Sequence, residues 1–284
     1  MRLLVLGAGG QLGTDIVRAA PAAGVDATPL TRHECDITDR RSVEDAFARA
    51  APDAAVNCAA WTHVDAAEEH EAEAAAINAT GAGNVAAVAA QRGTALCHVS
   101  TDYVFDGRST TPIAETAPPH PVSAYGRTKL AGEESVRAAL GDEALIVRTA
   151  WLYGAAGPNF VLTMLRLARE RGALRVVGDQ MGSPTWTGDL APAILRLLQR
   201  GATGTFHLTN SGETSWHGFA EAIVGEVGLD VPVTSITTAD YPTLARRPAY
   251  SVLDNARWRA LGEPPLPAWG HGLRAYLAGL GGVP

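Results

Sequence analysis

The 284-residue sequence predicts an α/β fold built on a doubly wound parallel sheet. Three observations carry the prediction. A short apolar run, Arg2-Leu3-Leu4-Val5-Leu6, ends in a glycine turn with Gly7, Gly10 and Gly13 at three-residue spacing. A helical pattern around Ile16, Val17 and Ala20 follows directly. Strand-like and helix-like segments then alternate along most of the chain. Such alternation implies parallel strands with helices on both faces, because a parallel connection needs a long crossover.

In chain order the apolar runs predict strands near 2–6, 25–30, 54–58, 95–99, 144–149 and 205–209. The intervening patterns predict helices near 11–20, 40–50, 73–92, 124–139, 158–171 and 188–200. The first strand, glycine turn and helix make a Rossmann-type phosphate cradle, formed by Gly7, Gly10, Gln11, Leu12 and Gly13. Glycines let backbone approach a pyrophosphate, and the helix start presents free N–H groups and a positive dipole end. Ligands on such sheets lie beyond the strands' carboxyl ends. The candidates gather there: Thr31-Arg32 after strand two, Ala59-Ala60-Trp61 after strand three, Ser100-Thr101-Asp102 after strand four. Beyond about residue 150 the alternation loosens and prolines thicken over 232–267, which predicts short helices and loops. The expected organisation is a dinucleotide-binding domain over 1–149 and a smaller C-terminal α+β substrate-binding domain, mainly 150–284. The strand near 205–209 is expected to rejoin the first sheet.

Composition narrows the function. Hydrophobic residues make up 46% and net charge is −7, which argues against a nucleic-acid surface and offers no reason for an anionic membrane. The first apolar run is too short for a signal peptide, and no run approaches a membrane span. Cys35, Cys58 and Cys97 show no CxxC pair or metal spacing. They read as reduced thiols of a cytoplasmic protein, with Cys58 and Cys97 at strand ends. His63, His70, His98, His207 and His217 also lack ligand spacing, so no metal centre is expected.

Tyr125 and Lys129 carry the sharpest chemical signal. At i and i+4 on a helix they share a face. A free phenol titrates near about 10, and a nearby cation favours its phenolate, bringing it closer to working pH. An acidic residue at the end of strand two would favour NAD through the ribose 2′-OH. This chain has Thr31-Arg32-His33 there, with Glu34 and Asp36 further on. Arg32 suits a 2′-phosphate and so points to NADPH, with NADH as the alternative and a solvated arginine as the bland one.

GAGGQLG, Asn57-Cys58-Ala59-Ala60, STDYVFDG and YGRTKLAGE together resemble the extended short-chain dehydrogenase/reductases. With AAWTHVDAAE, RTAWLYG, DQMGSPTW and YPTLARRP, the chain is similar to the dTDP-4-dehydrorhamnose reductases. The resemblance implies NAD(P)H-dependent reduction of the C4 ketone of dTDP-6-deoxy-L-lyxo-4-hexulose to dTDP-L-rhamnose. It implies Tyr125 as proton donor, Lys129 lowering its pKa and holding the nicotinamide ribose, and Thr101 on the same substrate oxygen. Asp36-Ile37 resembles the adenine-contact segment, and Ala59 and Ala60 join the cofactor side. Thr62, Val64, Asp102, Tyr103, Trp151, Asn159, Arg246 and Arg247 fall on the substrate side. An indole such as Trp151 offers an apolar face to a 6-methyl group, and guanidinium groups suit a diphosphate.

Alternatives stay open. Asp102 also reads as a turn cap, Trp151 as a core residue at a domain junction, and Arg246 and Arg247 as solvated loop residues. Asp102-Tyr103 lacks the Asp-Glu pair of sugar-nucleotide dehydratases, which counts against dehydration but leaves another 4-ketoreductase or an epimerase. A non-catalytic NADP-binding subunit, like the regulatory partner of methionine adenosyltransferase, is the reading from another class. Some relatives bridge subunits with magnesium held by carboxylates. Here Asp15 is present, but the other acidic positions fall on Gly188 and Pro192, so a monomer or weak homodimer is expected.

Overall fold

The computed structural model describes residues 1–280. Six parallel strands form its main sheet: β1 (Arg2–Leu6), β2 (Asp26–Leu30), β3 (Ala54–Asn57), β4 (Ala95–Thr101), β5 (Leu145–Thr149) and β7 (Gly204–His207). Their order is β7-β5-β4-β3-β1-β2, with β1 pairing β2 on one side and β3 on the other. The direction of winding therefore reverses at β1/β3, the place where such sheets leave a crevice for ligands. Register sets the site: Leu6 lies beside Asn57, and Thr101 beside Thr149.

Helices α1 (Gln11–Ala19) and α6 (Thr187–Gln199) cover one face, burying Leu12, Ile16, Leu190, Ile194 and Leu197 against Leu3, Val5, Val56 and Val147. Helices α2 (Arg40–Ala50), α3 (Ala82–Arg92) and α4 (Ala124–Leu140) cover the other, over Leu4, Leu6, Ala55, Leu96 and Ile146. Burial on both faces explains why the central strands read as continuous apolar runs rather than alternating ones. β2 is the edge strand and is largely exposed, so it tolerates Pro29.

The helix expected over 73–92 is three pieces: Glu71–Ala75, a π-helical turn over Ala76–Gly81, and α3. β3 ends at Asn57, whose side chain accepts the Ala59 N–H at 3.1 Å. Cys97 lies inside β4 rather than at its end. Segments beyond residue 150 hold more regular structure than short helices and loops. β6 (Leu174–Val177) pairs in parallel with β8 (Val233–Ile236). Helices α5 (Phe160–Arg171), α7 (Trp216–Glu226) and α8 (Trp269–Gly279) enclose a second core around Tyr153, Phe219, Leu273 and Tyr276. No helix among the described residues is long and apolar enough to cross a membrane.

Candidate active site

A cleft of about 650 Å³ opens between the sheet's carboxyl edge and the second core. The glycine turn forms one wall. Gly7 has φ +76°, and a Cβ there would lie 2.7 Å from the Ala59 nitrogen. Only glycine permits so close an approach of the loops after β1 and β3 in that conformation. Gly13 faces the Gly7 carbonyl just as closely, which seats α1 on the turn. Gly10 caps α1 with no side-chain hydrogen bond, and the helix has no acid in its first turn. Its free N–H groups and positive end therefore remain available to an anion. Gln11 crosses the cleft, donating from Nε2 to the Pro158 carbonyl (3.0 Å), while its buried Oε1 lacks a protein partner. A cradle that a Cβ would fill, with an orphaned polar atom beside it, fits a dinucleotide.

The opposite wall carries the reactive side chains. Ser123 caps α4 by accepting the Gly126 N–H at 3.1 Å, and Glu68 accepts the Ala124 N–H at 2.8 Å. Tyr125 and Lys129 are both buried and both line the cleft with Thr101. The Tyr125 ring meets Tyr103 edge-on at 5.4 Å. Burial pushes the Tyr125 phenol up to about 12; a hydrogen bond with Thr101 opposes this and the Asp102 charge adds to it. The expected lowering by Lys129 is not what the structure shows. Its Nζ donates to the Val99 carbonyl at 2.7 Å, and burial brings its own pKa down to about 8. Desolvation dominates both shifts, and neither group is among the influences on the other. The Thr101 hydroxyl donates to Asp102 Oδ1 (3.0 Å) and accepts the Tyr103 N–H (3.2 Å). Burial raises Asp102 to about 6. Thr101 and Ser251 oppose that rise, although the Ser251 hydroxyl has its hydrogen-bond geometry with the Met181 carbonyl at 3.3 Å.

Gly10, Gln11, Leu12, Gly13, Ala60, Thr62, Val64, Asp102, Tyr103, Trp151 and Asn159 also line the cleft, so most of the predicted set converges. Trp151 has φ +50°, in the left-handed region that a bulky residue seldom occupies, and stacks on Trp216 with centroids 3.5 Å apart. Asn159 is committed locally: it caps α5 through the Leu162 N–H (3.0 Å) and donates to the Tyr276 hydroxyl (3.0 Å). Gly7 and Ala59 do not themselves line the cleft; they pack against each other behind it at the switch point. Others stand apart. Ile37 is a core residue packed at Gly81. Asp36 accepts from the Thr38 N–H (2.9 Å) and hydroxyl (2.8 Å), which hold its pKa down. Neither Arg246 nor Arg247 lines the cleft. Arg247 is tied to Asp65 by two hydrogen bonds, 2.7 and 3.0 Å, while Arg246 is exposed.

Several supporting residues escaped the sequence reading. Asn78, on the π-helical turn, clamps the Trp61 loop through its N–H (2.8 Å) and carbonyl (3.2 Å). Trp216 backs Trp151. Glu133 and Arg148 form a buried ion pair under the site. One signal was available by counting: Lys129 is the only lysine, the other 22 of the 23 basic residues being arginine. The cysteines are inert by environment, since burial pushes Cys58 up to about 12 and Cys97 well above the usual thiol range.

The family model described as the RmlD substrate binding domain matches residues 1–281. A dTDP-4-keto-6-deoxy-D-glucose reductase of Streptomyces niveus is 45% identical over 274 residues, covering 94% of this chain and 93% of its own. A dTDP-4-dehydrorhamnose reductase structure from Clostridium acetobutylicum superposes with a TM-score of 0.96 at 42% identity, covering 99% and 100% of the two chains. Another from Bacillus anthracis, in complex with NADP, gives a TM-score of 0.95 at 37% identity, covering 98% and 99%. With a family model matching residues 1–281 and a relative 45% identical over 94% of this sequence, the chain belongs to the RmlD substrate binding domain family.

Proposed function

We propose that this chain reduces the C4 ketone of dTDP-6-deoxy-L-lyxo-4-hexulose with NADPH, yielding dTDP-L-rhamnose. The observation that carries the reading is the meeting of Thr101, Tyr125 and Lys129 in one cleft with the glycine cradle. The relatives named for dTDP-sugar ketoreduction support it. The cradle fits a dinucleotide, which when bound supplies the hydride. The chain's own residues supply the rest. Tyr125, held protonated by its raised pKa, is ready to give its proton to the alkoxide developing at the C4 oxygen. Thr101 offers the same oxygen a hydrogen bond once its hydroxyl turns from Asp102 Oδ1, and the Lys129 charge stabilises the phenolate left behind. Tyr103 stands where a dehydratase would carry its second carboxylate, so the site lacks the base for C5 proton abstraction.

Arg32 is our candidate for the 2′-phosphate. Glu34, the nearest acid in sequence, turns its Oε2 back on Thr31, accepting its N–H and hydroxyl at 2.8 Å. In Arg32→Ala the ratio of KM for NADPH to KM for NADH should rise about tenfold or more, in line with loss of a charge-assisted pair; an unchanged ratio would sink the assignment. We place the sugar's apolar side against Trp151 and read residues from about 150 onward as mainly the substrate domain. The decisive assay follows NADPH oxidation with dTDP-6-deoxy-L-lyxo-4-hexulose generated in situ. Turnover giving dTDP-L-rhamnose supports the proposal. Turnover only with dTDP-4-keto-6-deoxy-D-glucose would move the chain to the reaction named for the Streptomyces niveus relative.

A further inference from the structure

Beneath the cleft lies a charged cluster that the reduction does not itself use. Glu133, one turn after Lys129 on α4, is fully buried. Its Oε1 accepts from the Ser100 hydroxyl (2.6 Å) and Arg148 Nε (2.8 Å). Its Oε2 accepts from Arg148 Nη2 (2.7 Å) and Arg137 Nη2 (2.9 Å). Ser100 precedes Thr101 on β4, Arg148 precedes Thr149 on β5, and the two are register partners. One carboxylate thus ties the helix that carries Tyr125 and Lys129 to the strand that carries Thr101. A buried ion pair seldom outcompetes apolar packing of equal volume, so stability alone is a weak reason for this one.

Lys129 supplies a better reason. Its ammonium is buried with one protein hydrogen bond, to a neutral carbonyl. The titratable groups facing it are Cys58 beyond β3, His98 on β4, and Tyr125 and Glu133 on α4. Burial keeps His98 neutral and Cys58 and Tyr125 protonated at neutral pH. Glu133 alone among them carries charge, with the guanidinium groups of Arg137 and Arg148 bonded to its carboxylate. Arg148, Ser100 and Arg137 hold it ionised at about 2 against the penalty of burial. We propose that Glu133 is a positioning residue: its carboxylate locks the catalytic helix to β4 and β5 and sustains the charge on Lys129. Burial lowers Lys129 to about 8, and Glu133 is the main influence opposing that fall. The inference rests on the role given to Lys129 above.

The single lysine makes the test direct. Labelling with ε-13C-lysine gives one lysine side-chain resonance, whose titration reads Lys129 whatever the ketone substrate. In Glu133→Gln the midpoint should fall by roughly one pH unit, the scale of losing a nearby opposite charge. The alkaline limb of kcat/KM should move with it. Ser100→Ala keeps the carboxylate and should leave the midpoint in place, whatever it does to stability. If Glu133→Gln strands Arg148 and does not fold, Glu133→Gln/Arg148→Met is compared with Arg148→Met; both lack the guanidinium, so the double variant should titrate at lower pH than the single one. A wild-type midpoint in folded Glu133→Gln, or equal midpoints in Arg148→Met and the double variant, overturns the proposal, because a merely structural Glu133 would change melting but not titration. Absence of turnover on dTDP-sugars would overturn the reductase reading and leave this titration readable.

Discussion

Tyr125 and Lys129 have pKa values shifted by burial rather than by each other. The phenol is pushed up to about 12 and so stays protonated through the neutral range, as a donor must. Tyr125→Phe should lower kcat by about 10²–10⁴-fold, the usual worth of a positioned acid, while NADPH still binds; steady-state rates and cofactor fluorescence titration measure the two. The ammonium is brought down to about 8. Lys129 is therefore charged below about 8 and loses its charge as pH rises through that value, so kcat/KM, which reports the free enzyme, should fall on the alkaline side there. These roles were legible as residues because SAYGRTK places a phenol and an amine one helical turn apart. Their pKa shifts were not legible, because desolvation depends on which loops close over the cleft. Arg247 shows the same limit. Its place in ARRP suited a phosphate, yet Asp65, 182 residues away in sequence, takes its guanidinium.

Among the elements, α4 is held by close backbone approaches as well as by the side-chain bonds of Glu133. A Cβ on Gly126 would strike the Tyr103 carbonyl, and one on Gly132 the Asn78 carbonyl. Backbone atoms cannot swing aside as a side chain can, so the helix itself must shift. Gly126→Ala or Gly132→Ala should cost about 1–3 kcal/mol in urea unfolding and depress kcat by misplacing Tyr125 and Lys129. Gly225, inside α7 with open space around it, is the contrast: Gly225→Ala should be stabilising by up to about 1 kcal/mol. The strands and helices of the first half follow the sequence closely, since β1, β3, β4 and β5 are apolar runs buried on both faces. The π-helical turn over Ala76–Gly81 does not, because its alanine-rich sequence is compatible with a plain helix and Asn78 departs from it to bind the Trp61 loop. α7 and α8 were equally hard to read, being flanked by proline- and glycine-rich segments.

For the molecule as a whole, the buried cluster links activity to acid resistance. Glu133 has a folded pKa of about 2, below its unfolded value near 4.5. Its contribution to stability is therefore fully present above about 4.5 and lost as pH falls through about 2. Thermal melts between pH 5 and pH 2 should show that loss in the wild type, and a flatter acid limb in Glu133→Gln. The expectation of a monomer or weak dimer turns on similarly local contacts. Asp15 is buried, bonded to the Thr187 hydroxyl and to Arg18 (2.9 Å), and Gly188 and Pro192 bring no carboxylate to it. Sedimentation should give the same mass with magnesium and with EDTA; a dimer seen only with magnesium would refute the expectation of a monomer or weak dimer. Sequence by itself determined the parallel sheet, the glycine cradle and the Thr101–Tyr125–Lys129 set, because local patterns of burial and spacing encode strands, turns and helix faces. Tertiary structure alone decided that Trp151 stacks on Trp216, that Arg247 serves Asp65, and that Glu133 sits charged beneath the only lysine. Those outcomes depend on partners brought together from distant parts of the chain and on the loss of water around them, which no local pattern records.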